Sequence, residues 1–237
     1  MSVTSSTPRA VRAIEQHSVS DQVTAELRRS IVSGALAPEQ SLSLRKLAEQ
    51  LGVSFIPVRD ALRVLEAEGL VVNPPGRSAT VAPLDLDELH AIYRSRRLLE
   101  PDLARRAVKG LSDERLDQLW DVAAELGDAH RSMDDIYDDH RAFHLALIAP
   151  AVTAWDERIL NLLWRAGERY IRIGFGLLDP DPHEHDRRRE AHQLLVDEFR
   201  RRDPARAAKA LDTHLSHNEE LARSALSQWD ARGRTSN

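Results

Sequence analysis

Apolar residues take up a helical period soon after Ser20. Val23, Leu27 and Ile31 fall on one stripe, and Gly34 stops it. Ser43 can cap a second run through Leu44, Leu47, Ala48 and Leu51 that closes at Gly52. Ser54 can cap a third, with Pro57 in its first turn, where a missing N–H is tolerated. Val58, Ala61, Leu62 and Leu65 form its inner face, and Gly69 closes it. The period then changes. Leu70-Val71-Val72 is a short apolar strand, Asn73-Pro74-Pro75-Gly76 has turn chemistry, and Ser78-Ala79-Thr80-Val81 is a β-prone return. Three helices and a hairpin predict a winged helix-turn-helix over 19–83.

After Pro83 the pattern is helical almost to the end, with helices predicted near 86–108, 112–129, 133–149, 152–176, 184–202 and 204–229. Ser112 and Asp203-Pro204 are helix starts, and Gly110 and the Asp179-Pro180-Asp181-Pro182 run are breaks. Residues 84–230 are therefore expected to form an all-α helical bundle. Residues 1–18, rich in small and polar side chains, read as a flexible tail. The expected fold is mainly α.

Composition changes the picture in three ways. Of the 237 residues, 42% are hydrophobic but only 5% aromatic, so Leu, Ala, Val and Ile must build two cores. Cysteine is absent, which excludes disulfides and thiolate metal sites. No apolar run reaches the ~18 residues of a membrane span, and the first residues lack the apolar stretch of a signal peptide; the expected location is cytoplasmic, without a membrane partner. The net charge of −5 is unevenly placed: 19–83 has seven basic and seven acidic residues, so the acidic excess lies in the C-terminal part. There is no basic run of the kind an architectural DNA binder uses.

The stretch LRKLAEQLGVSFIPVRDAL carries DNA-reading chemistry. A helix-turn-helix needs a small residue where its helices cross and a flexible one at the turn, and Ala48 and Gly52 supply them. The outer face of the helix after Ser54 carries Arg59 and Arg63, one turn apart, as groups for base edges or phosphates. Ser54 can hold a phosphate with its hydroxyl and the free N–H groups behind it. Arg45 can reach the groove edge, and Gly76 and Arg77 at the wing tip the backbone or minor groove. The alternative is that Arg59 and Arg63 only solvate a surface.

In the helical half, His140 and His144 are four apart and share one helix face, while His192 and His214 lie within two further helices beside Leu195 and Leu211. Imidazoles presented from three helices into one cavity suit a divalent transition metal, zinc or nickel. His183, His185 and His217 read as ordinary polar residues, with His217 the substitute ligand for His214. Arg96 can grip a carboxylate bidentately, and Arg165, Arg169 and Tyr170 in LLWRAGERY can line the same cavity. Arg96–Glu100 is equally an i,i+4 pair of the sort found on helix surfaces.

The front segment resembles the DNA-binding domain of the GntR family. Its signature runs G-x-L-x-P-G, then L-A, L-G-V-S-R-x-P-V-R-x-A-L and G-L. Here it reads Gly34-Ala35-Leu36-Ala37-Pro38, Leu47-Ala48, Leu51-Gly52-Val53-Ser54-Phe55-Ile56-Pro57-Val58-Arg59-Asp60-Ala61-Leu62 and Gly69-Leu70. Two positions depart. Glu39 stands at a usual glycine, which should alter only the turn. Phe55 stands at a usual arginine that contacts DNA; it can touch a thymine methyl or pack against the wing or the helical domain. The resemblance places Arg45, Ser54, Arg59 and Gly76 on operator-contacting positions.

Residues 86–228 resemble the FCD sensor domain of the FadR-type branch, through Arg96-Arg97-Leu98-Leu99-Glu100, His140-Arg141-Ala142-Phe143-His144, Glu190-Ala191-His192-Gln193-Leu194-Leu195, the Arg202–Ala207 segment and His214-Leu215. In many such proteins one Asp and three His hold a metal. His140 stands at the Asp position, and Asp139 beside it would point some 100° away around the helix. An all-imidazole site is neutral and favours a borderline metal over Mg²⁺ or Ca²⁺; a metal-free pocket is the alternative. The resemblance implies a homodimer on a pseudo-palindromic operator, and an open coordination position beside cations suits a small carboxylate effector. The rival reading is a metal-dependent enzyme acting on a small organic acid, but no general base accompanies the histidines at a fixed spacing. The chain is expected not to be an enzyme.

Overall fold

The computed structural model describes residues 18–178 and 182–235, without the side chains of 133–134, 173–182 and 228–235. The expected tail therefore lies outside the described residues apart from Ser18, as does the break at 179–182 apart from Pro182, which opens a helix.

The N-terminal unit contains α1 (Val19–Val32), β1 (Ser41–Leu42), α2 (Leu44–Leu51), α3 (Phe55–Ala67), β2 (Val71–Val72) and β3 (Ala79–Val81). Ser18 caps α1 in a reciprocal box with Asp21, and Ser43 caps α2 through the Lys46 N–H. Gly52 takes the left-handed conformation that ends α2 (φ 65°), and the Val53 N–H returns to the Ala48 carbonyl at 3.0 Å. This turn lets α3 fold back, burying Val58, Ala61 and Leu65 completely against Leu27, Leu47 and Leu70. The predicted hairpin is present as β2 and β3, paired antiparallel with Val71 opposite Val81. The pattern did not reveal β1. With two residues it has no period to read, yet it adds to the other edge of β3, with Leu42 opposite Ala79. Glu39 sits just before it at φ 64°, a left-handed backbone for which a non-glycine residue is penalised by roughly 1 kcal/mol.

The remainder is all helical: α4 (Leu86–Ala107), α5 (Asp113–Glu125), α6 (Met133–Ile148), a single tight turn at Ala149–Ala151, α7 (Ala154–Leu178), α8 (Pro182–Arg200) and α9 (Pro204–Thr235). The mainly α architecture, a winged helix followed by a helical bundle, is as the sequence predicts. α9 lies along α4 and α7, and α5 pairs with α8. Leu89, Tyr93, Leu116, Phe143, Leu160, Val196, Phe199 and Leu215 are buried between them, in a core separate from that of the winged helix. α5 stops four residues earlier than its periodicity suggests, and Gly127 follows it. A Cβ there would lie 2.5 Å from the His185 carbonyl oxygen and 2.6 Å from the Arg189 Cβ. Only glycine lets the chain pass this close to α8. Gly127→Ala is expected to cost about 1–3 kcal/mol through overpacking, read as a lower midpoint in chemical denaturation with an unchanged slope.

Candidate metal centre and DNA-reading surface

Four buried histidines meet inside the helical domain. His140 and His144 project from one face of α6, His192 comes from α8 and His214 from α9; one ring nitrogen of each lies within 4.8 Å of the others. The rings are packed edge to face, with centroids 4.6 Å apart for His140 and His144 and 4.7 Å apart for His192 and His214. Phe143, next to His144 in sequence, packs edge to face against His192 with ring centroids 5.2 Å apart.

Burial holds the proton off every ring. His192 is lowered to about 4, with burial as the largest cause. His140, His144 and His214 lie well below the usual imidazole value, first because of burial and then because of charge on neighbouring histidines and arginines. The imidazoles are therefore neutral at physiological pH and offer lone pairs. His192 Nδ1–H donates to the Arg188 carbonyl at 2.7 Å, which fixes its tautomer and leaves Nε2 as the free acceptor. His192 Nε2 and His144 Nδ1 are buried without a hydrogen-bond partner among the described residues. On α9, the Asn218 amide lies 3.1 Å from His214 Nε2. Asp139 points outward to Arg131 at 2.6 Å, so the cluster is completed by His140. His217 is exposed and outside the cluster.

A small cavity of about 30 Å³, room for one or two waters, adjoins His140 and His144, with Arg96, Tyr137, Arg141, Trp164, Glu168 and Ile171 as its other walls. Of the four residues expected to grip an effector, only Arg96 reaches it. Arg96 is buried, donates to Glu100 at 2.6 Å and lies over the Tyr93 and Trp164 rings. Trp164 Nε1–H donates to the same Glu100 oxygen at 2.8 Å.

Arg165, Arg169 and Tyr170 do not line this cavity, a correction that follows from helical phase. On α7, Trp164, Glu168 and Ile171 share the cavity face, and a step of one residue turns the chain by about 100°. Arg165 instead donates to Glu68, at the end of α3, at 2.8 Å; Glu68 also takes two bonds from Arg28 of α1 at 2.8 and 2.7 Å. Arg169 donates to the Ala82 carbonyl at 3.0 Å and pairs with Glu88. The Tyr170 hydroxyl donates to Glu88 and accepts the Asp85 N–H at 3.1 Å. These three residues join the helical domain to the winged helix and to the segment between them. The wall residues Tyr137, Trp164 and Glu168 went unread because a helix pattern reveals which positions are buried, not which neighbour they meet.

On the winged helix, Arg45, Ser54, Phe55, Arg59, Gly76 and Arg77 are all exposed. Arg63 is exposed too, loosely paired with Asp60 at 3.9 Å. Arg59 and Arg63 turn about 100° away from the buried Val58 and Leu62, and the Ser54 hydroxyl makes no capping bond. Phe55 is 54% exposed. Among the described residues, no helix is long and apolar enough to cross a membrane.

The family model for bacterial regulatory proteins of the gntR family matches residues 19–81, and that for the FCD domain matches residues 91–217. The HTH-type transcriptional regulator BphR of Paraburkholderia xenovorans is 29% identical over 210 residues, 83% of this chain and 82% of that protein. The HTH-type transcriptional repressor GlaR of Escherichia coli is 29% identical over 204 residues, 80% and 89% of the two chains. The structure of E. coli McbR/YncC superposes with a TM-score of 0.71 at 28% identity, covering 88% of this chain and 99% of that one. The chain thus belongs to the GntR family, in its FadR-type branch with an FCD domain, and is a ligand-responsive DNA-binding transcription regulator rather than an enzyme.

Proposed function

We propose that the helical domain holds a divalent transition ion, zinc or nickel, on His140, His144, His192 and His214, and senses a small carboxylate beside it. The observation that carries this is the convergence of ring nitrogens from four neutral, buried imidazoles on three helices, together with a buried His192 Nε2 that has no other partner among the described residues. An unsatisfied buried polar atom costs about 1–3 kcal/mol, and a cation on the lone pairs removes that cost. An all-nitrogen, uncharged donor set suits a borderline metal rather than Mg²⁺ or Ca²⁺. When bound, such an ion supplies a positive charge and an acceptor for a carboxylate oxygen.

Arg96 provides the protein's own anion contact from the same cavity. Its guanidinium already serves Glu100, which also holds Trp164, so an incoming carboxylate perturbs that network. The cavity as it stands is small, and a ligand larger than a couple of waters displaces its walls, which include Trp164, Glu168 and Ile171 of α7. Movement of α7 is passed on through Arg165 to Glu68, and through Arg169 and Tyr170 to the segment at 82–88. The winged helix binds operator DNA through Arg45, Ser54, Phe55, Arg59, Arg63, Gly76 and Arg77. Two copies in a homodimer, placed in the cytoplasm, address the two halves of a pseudo-palindromic site. Trp155, Ile159 and Leu162, exposed at i, i+4 and i+7 on α7, support pairing of this helix with a second copy.

A thermal-shift screen of small carboxylates, run with added zinc and after exhaustive chelation, tests the sensor. Stabilisation by at least one carboxylate is expected only in the presence of zinc, and that carboxylate should change operator affinity. Equal shifts with and without zinc would reject the metal-centred site.

A further inference from the structure

Two large apolar side chains open α3. Phe55 is 54% exposed and Ile56 61% exposed, although the winged helix has a filled core of its own to hold such residues. Their surroundings are polar. The Ser54 hydroxyl forms no capping bond, so the first-turn N–H groups of α3 lack a side-chain acceptor. Arg59 is exposed one turn further on. Hydroxyl, N–H groups and guanidinium match phosphates and polar base edges. The apolar pair matches neither. On the major-groove edge of a DNA duplex the one apolar group is the C5 methyl of thymine.

We propose that Phe55 and Ile56 read thymine methyls, so that each operator half-site carries A·T pairs beneath the N-terminus of α3. This rests on α3 being the recognition helix. Successive residues on a helix point about 100° apart, so the two side chains address separate base positions. A phenyl ring offers no donor to the guanine O6 and N7 acceptors, and a G·C pair under it would lose its bonds to water without replacement. The ring thus selects against G·C as well as for T.

The test uses the full chain and duplexes selected by it from randomised DNA. Each thymine of the selected half-site is replaced singly by deoxyuridine, which removes the methyl and leaves every hydrogen-bonding group. Binding is expected to weaken about three- to fivefold at one or two positions, the effect of exposing one methyl. In Phe55→Ala that penalty should vanish at one of them. Deoxyuridine tolerated throughout a half-site that is still selected and bound overturns the proposal and leaves α3 as the reader. So does a Phe55→Ala chain that keeps every penalty but changes thermal midpoint or assembly state, which assigns the ring to packing. Failure to select any sequence refutes the recognition reading itself, and the inference with it.

Discussion

Replacing His192 by alanine is expected to strip the chain of its transition ion while leaving operator binding close to that of the wild type. Loss of a supporting hydrogen bond around a metal ligand already weakens binding by 10- to 100-fold, and loss of a ligand should weaken it by at least about 100-fold. His192 is presented in a fixed tautomer, because its Nδ1–H donates to the Arg188 carbonyl at 2.7 Å. An ion held at a thousandfold excess over its dissociation constant stabilises by about 4 kcal/mol. For a domain of this size that is roughly 10 °C in melting temperature. Under the same zinc a site about 100-fold weaker would contribute only about 1.4 kcal/mol, so the zinc-dependent melting shift of His192→Ala should be about a third of the wild-type shift or less. After dialysis against free zinc at about ten times the wild-type dissociation constant, elemental analysis should find close to one ion per wild-type chain and about a tenth of that or less in His192→Ala. Operator binding should survive, since α8 contributes to a core separate from that of the winged helix. His217→Ala is the control: this residue lies three beyond His214 but is exposed and outside the cluster, and its removal should leave stoichiometry at one. Equal metal content in His192→Ala and wild type would sink the site.

The same cluster shows what the sequence makes legible. Spacing alone put His140 and His144 on one face, since four residues make about one turn. That His192 and His214 should point at them is a property of how α8 and α9 pack, and only the resemblance to FCD domains supplied it. The winged helix was readable almost residue by residue, because Ser43, Gly52, Ser54 and Gly69 punctuate it and each period is short. β1 escaped because two residues cannot display alternation. Arg165, Arg169 and Tyr170 were legible as a charged stretch on a helix, but their direction was not. A rotation of one residue separates the cavity from the domain junction, and no pattern within a single helix fixes that phase against its neighbours.

Arg165→Met is expected to weaken the coupling of the two domains without disabling either. Glu68 is the shared acceptor of Arg28 and Arg165, so α1, the end of α3 and α7 meet at one carboxylate. Burial by itself would raise the Glu68 pKa, but the hydrogen bonds and charges of the two arginines outweigh it and the net direction is downward. A group lowered on folding contributes stability above its unfolded value, here 4.5, and loses it as the pH falls through its folded value. The tie is therefore intact at neutral pH. Methionine keeps most of the apolar stem of Arg165 and removes its charge, and Glu68 retains Arg28, so the stability cost should be about 1 kcal/mol or less. Zinc content and carboxylate-induced stabilisation should be unchanged, because Arg165 does not line the cavity. Basal operator affinity should stay within about threefold of wild type. What should fall is the ratio of operator affinities with and without the carboxylate that stabilises the wild type most. Coupling free energies of 1–3 kcal/mol correspond to ratios of about 5- to 150-fold, and the ratio is expected to fall by about threefold or more once the contact is gone, with the rest carried through Arg169 and Tyr170. A full wild-type ratio in Arg165→Met would show that Arg169, Tyr170 or the partner subunit carries the signal, and the role assigned to Glu68 would fail.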